Sequence, residues 1–269
     1  MPLTIAVVLG LFILGACVGS FTSVVIYRLH SRLPGILTGR SKCTTCETQL
    51  QMTDLIPVLS YLTLRGKCRY CSKSISYMYP LLEIVSGAFF AALFFKFPFI
   101  NTVTLQFSEA MVGLYLLYAV YAFVLLFTFF FDLHYMKVAD EILLPAILLG
   151  LIATIAAPLT PFLVDAVIGL CIAVGFFGIQ ILLSKGKWVG MGDLRVGAFM
   201  GVILGWKLTI VALFVSYVLG SVVALIVALH RKKIIGIKIP FAPLLVTGTV
   251  ITMFFGEKIL TWYLTSLGL

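Results

Sequence analysis

The 269-residue chain places 62% of its residues in the apolar set and only 11% in the charged set. Soluble domains run near half apolar and a quarter charged, so a soluble globular protein is excluded and a membrane protein is expected. Nineteen Lys and Arg against ten Asp and Glu give a formal charge of +9, which bears on membrane orientation before it bears on any nucleic acid.

A helix needs about 20 apolar residues to cross a hydrocarbon core of roughly 30 Å. In chain order the candidate segments are 3–27, which carries no charge; 79–95, with only Glu83; 111–131; 142–159 and 162–183, on either side of a turn at 158–161; the short piece 196–206; 208–229; and 239–255. The first lacks a basic leader region and is too long for a signal peptide, so it reads as a retained helix. These eight segments predict an all-α, polytopic membrane helix bundle of about eight transmembrane helices. The division by topology is a first helix at 1–28, a soluble loop at 29–78 and a transmembrane bundle at 79–269. With eight crossings, sixteen of the nineteen basic residues fall on one side. The positive-inside rule then puts the basic loops in the cytoplasm and both termini outside.

The loop at 29–78 is too small for a large core without a staple. Two C-x-x-C pairs supply one: Cys43 with Cys46, and Cys68 with Cys71. Four thiolates in this pairing suit a structural zinc ion, and a reducing cytoplasm argues against disulfides. The loop thus reads as a small zinc-ribbon-like domain. Arg65, Lys67 and Arg69 leave a weaker nucleic-acid reading open, whereas Cys17 and Cys171, inside apolar spans, read as packing.

Acids near a bilayer are costly and therefore functional candidates. Asp132 closes the third span after Phe129-Phe130-Phe131, and Asp193 ends Gly190-Met191-Gly192-Asp193 before the short sixth segment. Both are expected at the cytoplasmic end, where paired carboxylates can share a proton and activate water. Gly190 and Gly192 would let backbone approach a substrate strand. Plainer readings are a helix cap for Asp193 and an interfacial position for Asp132, with Asp140 a competitor for the first aspartate. Glu83, just inside the second span, can bond within the bundle or bind a substrate, and Gly15, Gly19 and Ser20 permit close helix packing.

Together these elements resemble the prepilin peptidase family of bacterial membrane aspartic proteases (GxGD type). The motifs that carry the resemblance are Gly19-Ser20-Phe21 with Val24 to Leu29, the two cysteine pairs, Tyr79-Pro80-Leu81-Leu82-Glu83, Asp132-Leu133 with Asp140, Gly190 to Arg195, and Ile239-Pro240-Phe241-Ala242-Pro243. Ser23, Ala139 and Arg195 stand where the family usually has Asn, Pro and Lys. The resemblance implies that Asp132 and Asp193 are the catalytic pair, and that the substrate is a prepilin or pseudopilin whose basic leader is cleaved after a Gly at the cytoplasmic face of the inner membrane. It also implies N-methylation of the new terminus with S-adenosylmethionine, with Glu83 and Gly87 as the matching methyltransferase or substrate positions. The partners expected are the pilin substrate and the lipid bilayer, without nucleic acid. A proton- or cation-coupled transporter using the two aspartates is the alternative of a different class.

Overall fold

The computed structural model describes residues 2–32, 39–102, 104–156, 161–231 and 239–268. The elements are α1 (Pro2–His30), a 3-10 turn (Met52–Leu55), α2 (Leu59–Thr63), α3 (Met78–Lys96), α4 (Glu109–Tyr135), α5 (Asp140–Ala156), α6 (Leu163–Ser184), α7 (Met191–Arg231) and α8 (Ala242–Ser266). Among the described residues the chain is helical, with isolated β-bridges and no strand. Among the described residues, six helices are long and apolar enough to cross a membrane. Of the eight expected segments, the fourth is the 17-residue α5, and the sixth and seventh lie together in α7. Most of the turn expected at 158–161 lies outside the described residues.

Packing divides the chain into two units, Met1–Phe127 and Thr128–Leu269; the division falls inside α4, away from the topological boundaries at 28/29 and 78/79. In the first unit α1 packs on α3 through small residues, as Gly15 and Gly19 led one to expect. A Cβ on Gly15 would stand 2.6 Å from the Ser86 carbonyl oxygen, and one on Gly19 would stand 2.9 Å from the Glu83 Cα. Such close backbone approach substitutes van der Waals contact for a hydrophobic drive that is absent in lipid. Cys17, by contrast, is exposed on α1, as Cys171 is on α6. Neither packs in a core, which corrects the expectation: in a helix that is apolar all round, hydropathy does not separate a lipid-facing position from a core one.

In the second unit α6, α7 and α8 pack in sequence. The α6–α7 crossing brings backbones together at Gly169 and Gly201, where a Cβ on either would lie 2.4–2.5 Å from the other's carbonyl oxygen. At Gly205 the helical path of α7 breaks, with φ 72° and ψ 172°, a conformation that essentially only glycine adopts. The break returns Tyr217 to within electrostatic reach of Asp193, although a straight helix would separate the two by roughly 36 Å. α7 is therefore two helical arms, matching the two segments read on either side of Lys207.

Candidate active site and cysteine centre

The four cysteines converge. Their sulfurs all lie within 4.8 Å of one another, and those of Cys43 and Cys71 are 3.9 Å apart. Sulfurs about 2.3 Å from a tetrahedral zinc would stand roughly 3.8 Å apart, so the donor set fits a metal of this kind. Each pair sits on the same hairpin. The Cys43 N–H donates to the Thr48 carbonyl and the Glu47 N–H returns to the Cys43 carbonyl; Cys68, Lys73 and Ser72 repeat this. Glu47 and Ser72 take left-handed φ values of 56° and 57°. Thr48, through its side chain and backbone, pulls the Cys46 thiol down to about 6, and the N–H groups of Cys71 and Tyr70 lower that of Cys68. Both shifts favour the ligating thiolate.

Asp54 braces the second hairpin by accepting from Arg69 Nε at 2.7 Å, the Tyr70 hydroxyl at 3.1 Å and the Gln51 N–H at 3.1 Å. Burial would raise its pKa, but these three donors outweigh it and hold the carboxyl below its usual range. Arg69 thereby pairs with the buried Asp54 carboxylate while its own side chain stays exposed.

Glu83 is buried at 8% exposure and accepts the Val58 N–H at 2.7 Å and the Ser20 hydroxyl. Val58 has φ 63°, an outlying conformation for a β-branched residue, and the Glu83 bond holds it there. Glu83 also walls a cavity of about 790 Å³ bordered by Ser20, Tyr27, Arg28, Tyr61 and Tyr79. Gly87, one turn on, packs against Phe12 of α1, whose carbonyl oxygen would lie 2.8 Å from a Cβ there. It is not part of the cavity wall.

The two aspartates lie within electrostatic reach of each other in the second unit. Asp132, in the last turn of α4, is 6% exposed and feels the charge of Asp193. Asp193 stands in the first turn of α7, where its Oδ2 accepts the Gly190 N–H at 3.0 Å. The capping reading is thus met in part: Asp193 reaches back as the third residue of the helix while Gly190 occupies the cap. Ala242, at the head of α8, presents its backbone N–H to Asp132. Both carboxylates consequently lie at helix N-termini, which favour negative charge. Gly192 presses on Val138, whose Cγ2 would be 2.7 Å from a Cβ, whereas Gly190 meets nothing closer than 3.6 Å. Close approach is required at the second glycine and not at the first. Asp140, the competitor, lies outside this pair and is bound to Arg195 at 2.6 Å.

Two family models match the chain: the bacterial Peptidase A24 N-terminal domain over residues 13–97 and the Type IV leader peptidase family over residues 119–225. A prepilin leader peptidase/N-methyltransferase of Bacillus subtilis is 30% identical over 94% of this chain and 96% of its own length. The chain belongs to this family. Proteins of the same name from Stutzerimonas stutzeri and Pseudomonas putida are 29% and 30% identical, over 97% and 96% of this chain and 94% and 92% of theirs. No solved structure gives a significant match. Within this prepilin leader peptidase/N-methyltransferase fold, sequence reasoning missed Val58, Ala242 and Tyr217 as partners of the candidate acids. The closing motif around Ala242 was a visible signal without a role; Tyr217 carried none.

Proposed function

We propose that the chain is a membrane aspartic endopeptidase that removes the basic leader of type IV prepilins or pseudopilins after a Gly, at the cytoplasmic face of the bacterial inner membrane, with both termini outside. The observation that carries this reading is the convergence of two carboxylates, from the end of α4 and the start of α7, with Asp132 buried. One carboxylate accepts a proton from the attacking water while its protonated partner hydrogen-bonds the scissile carbonyl. The helix N-termini at α7 and α8 offset the negative charge of the pair. The transporter alternative has no support in the family and leaves the cysteine centre without a purpose.

The four cysteines hold a structural zinc ion, since four protein ligands leave no open position for catalysis. N-methylation of the new terminus with S-adenosylmethionine belongs to the first unit. Glu83 is the supported candidate there, as a buried carboxylate on a cavity wall that suits a cationic donor or amine. Gly87 acts behind it by letting α1 approach α3. A purified prepilin incubated with the enzyme and S-adenosylmethionine, and read by mass spectrometry, tests both activities. The expected products are the truncated chain and its form 14 Da heavier, roughly one methyl group. An uncleaved substrate would refute the peptidase reading, and cleavage without the added mass would refute the methyltransferase reading.

A further inference from the structure

The short connection from α4 to α5 wraps the first turn of α7. α4 ends at a left-handed Met136, with φ 50°, whose N–H returns to the Asp132 carbonyl oxygen at 2.8 Å. α5 then starts at Asp140. Against these residues the α7 turn sets Gly192 on Val138, Asp193 facing Asp132 and Arg195 on Asp140. At about 100° per residue, Arg195 projects some 200° round the helix from Asp193, so these contacts grip the turn from different sides. They differ in kind. The bond from the Gly190 N–H to Asp193 is local to α7 and travels with it. The Gly192 contact is apolar and without direction. The Arg195 Nη1 to Asp140 Oδ1 bond, at 2.6 Å, is charge-assisted and directional.

Resting on the dyad reading above, we propose that Asp140 and Arg195 are a positioning pair that fixes the rotation and register of the first α7 turn and so holds Asp193 opposite Asp132. The pair touches neither substrate nor reacting atoms and acts through Asp193. Its side chains are 41% and 33% exposed, and a pair so open to solvent adds little to stability. Loss of the pair therefore costs turnover while leaving the fold and substrate binding in place. A lysine at 195 preserves the charge and, with a shorter reach, most of the function.

The test is a double-mutant cycle on the full-length enzyme in detergent, with a purified prepilin as substrate. Asp140→Ala and Arg195→Ala each lower kcat about tenfold, because a displacement well under 1 Å between reacting groups is enough for that. KM stays unchanged. The double variant is no worse than the poorer single one, since the two residues act as one unit. Arg195→Lys keeps at least about half of kcat, and melting temperatures stay within about 2 °C of the parent. Asp140→Asn, close to isosteric, replaces the alanine variant should the latter fail to purify. Full kcat in the single variants, multiplying losses in the double variant, or a change confined to KM overturns the proposal. Asp132→Asn and Asp193→Asn, assayed alongside, separate the outcomes: their cleaving normally sinks the dyad itself, whereas their inactivity together with an additive cycle sinks only the positioning pair.

Discussion

Gly190 and Gly192 look equivalent in the tetrapeptide but differ in what surrounds them. A Cβ at 192 would drive into Val138 at 2.7 Å, whereas at 190 the nearest neighbour is 3.6 Å away. Gly192→Ala is therefore expected to lower the cleavage rate at least about tenfold, by pushing the α7 turn off the connection that follows Asp132 and α4. Gly190→Ala should stay within about threefold of the parent, because its Cβ meets only ordinary contact distances. Equal effects would show that the asymmetry carries no weight. Val58 supports a second prediction. Its φ of 63° costs on the order of 1–3 kcal/mol, so Val58→Gly should raise the melting temperature. Val58→Pro should lower it and abolish methyl transfer, because proline neither reaches positive φ nor supplies the N–H that Glu83 accepts.

The backbone pattern of the cysteine hairpins recurs elsewhere in the chain. The segment from Ile100 to Phe107 repeats the same bonds, with the Asn101 N–H to the Gln106 carbonyl, the Leu105 N–H to the Asn101 carbonyl and a left-handed Leu105, yet it has no cysteine. Here the Asn101 side chain accepts the Thr104 N–H at 3.1 Å, so the turn forms without a thiol, and the two C-x-x-C pairs add the metal donors. In metal-stripped protein at pH 7, Cys46, drawn down to about 6, is mostly thiolate. At Cys71 the Lys73 N–H, which favours the thiolate, is outweighed by burial and the neighbouring thiols, which push it up to about 11. Mild alkylation should modify Cys46 before Cys71, as read by peptide mass spectrometry, and zinc should protect both. The purified enzyme is expected to hold about one zinc per chain, falling in Cys43→Ser. At the break in α7, Gly205→Ala should lower the melting temperature by several degrees, since alanine strains at φ 72° and ψ 172° by about 1–3 kcal/mol.

Across the whole molecule, what was legible in the sequence followed from local pattern. Long apolar runs marked the helices, Lys207 beside Gly205 marked the division of α7, and C-x-x-C spacing marked the metal donors. Cys17 and Cys171 were misread because a lipid-facing side and a packed side are equally apolar. The bonds joining Val58 to Glu83 and Asp140 to Arg195 span 25 and 55 positions, with no periodicity to announce them. The two aspartates were found as residues by their rarity in apolar surroundings, but their environment, with Ala242 at one and Gly190 at the other, belongs to the folded chain. The sharpest measurement is single-turnover cleavage of a purified prepilin by Asp132→Asn and Asp193→Asn enzymes carrying normal zinc. If the two carboxylates share the chemistry, each variant loses at least about a thousandfold in rate while still methylating a pre-cleaved pilin. Cleavage by either variant at the parent rate would contradict the dyad.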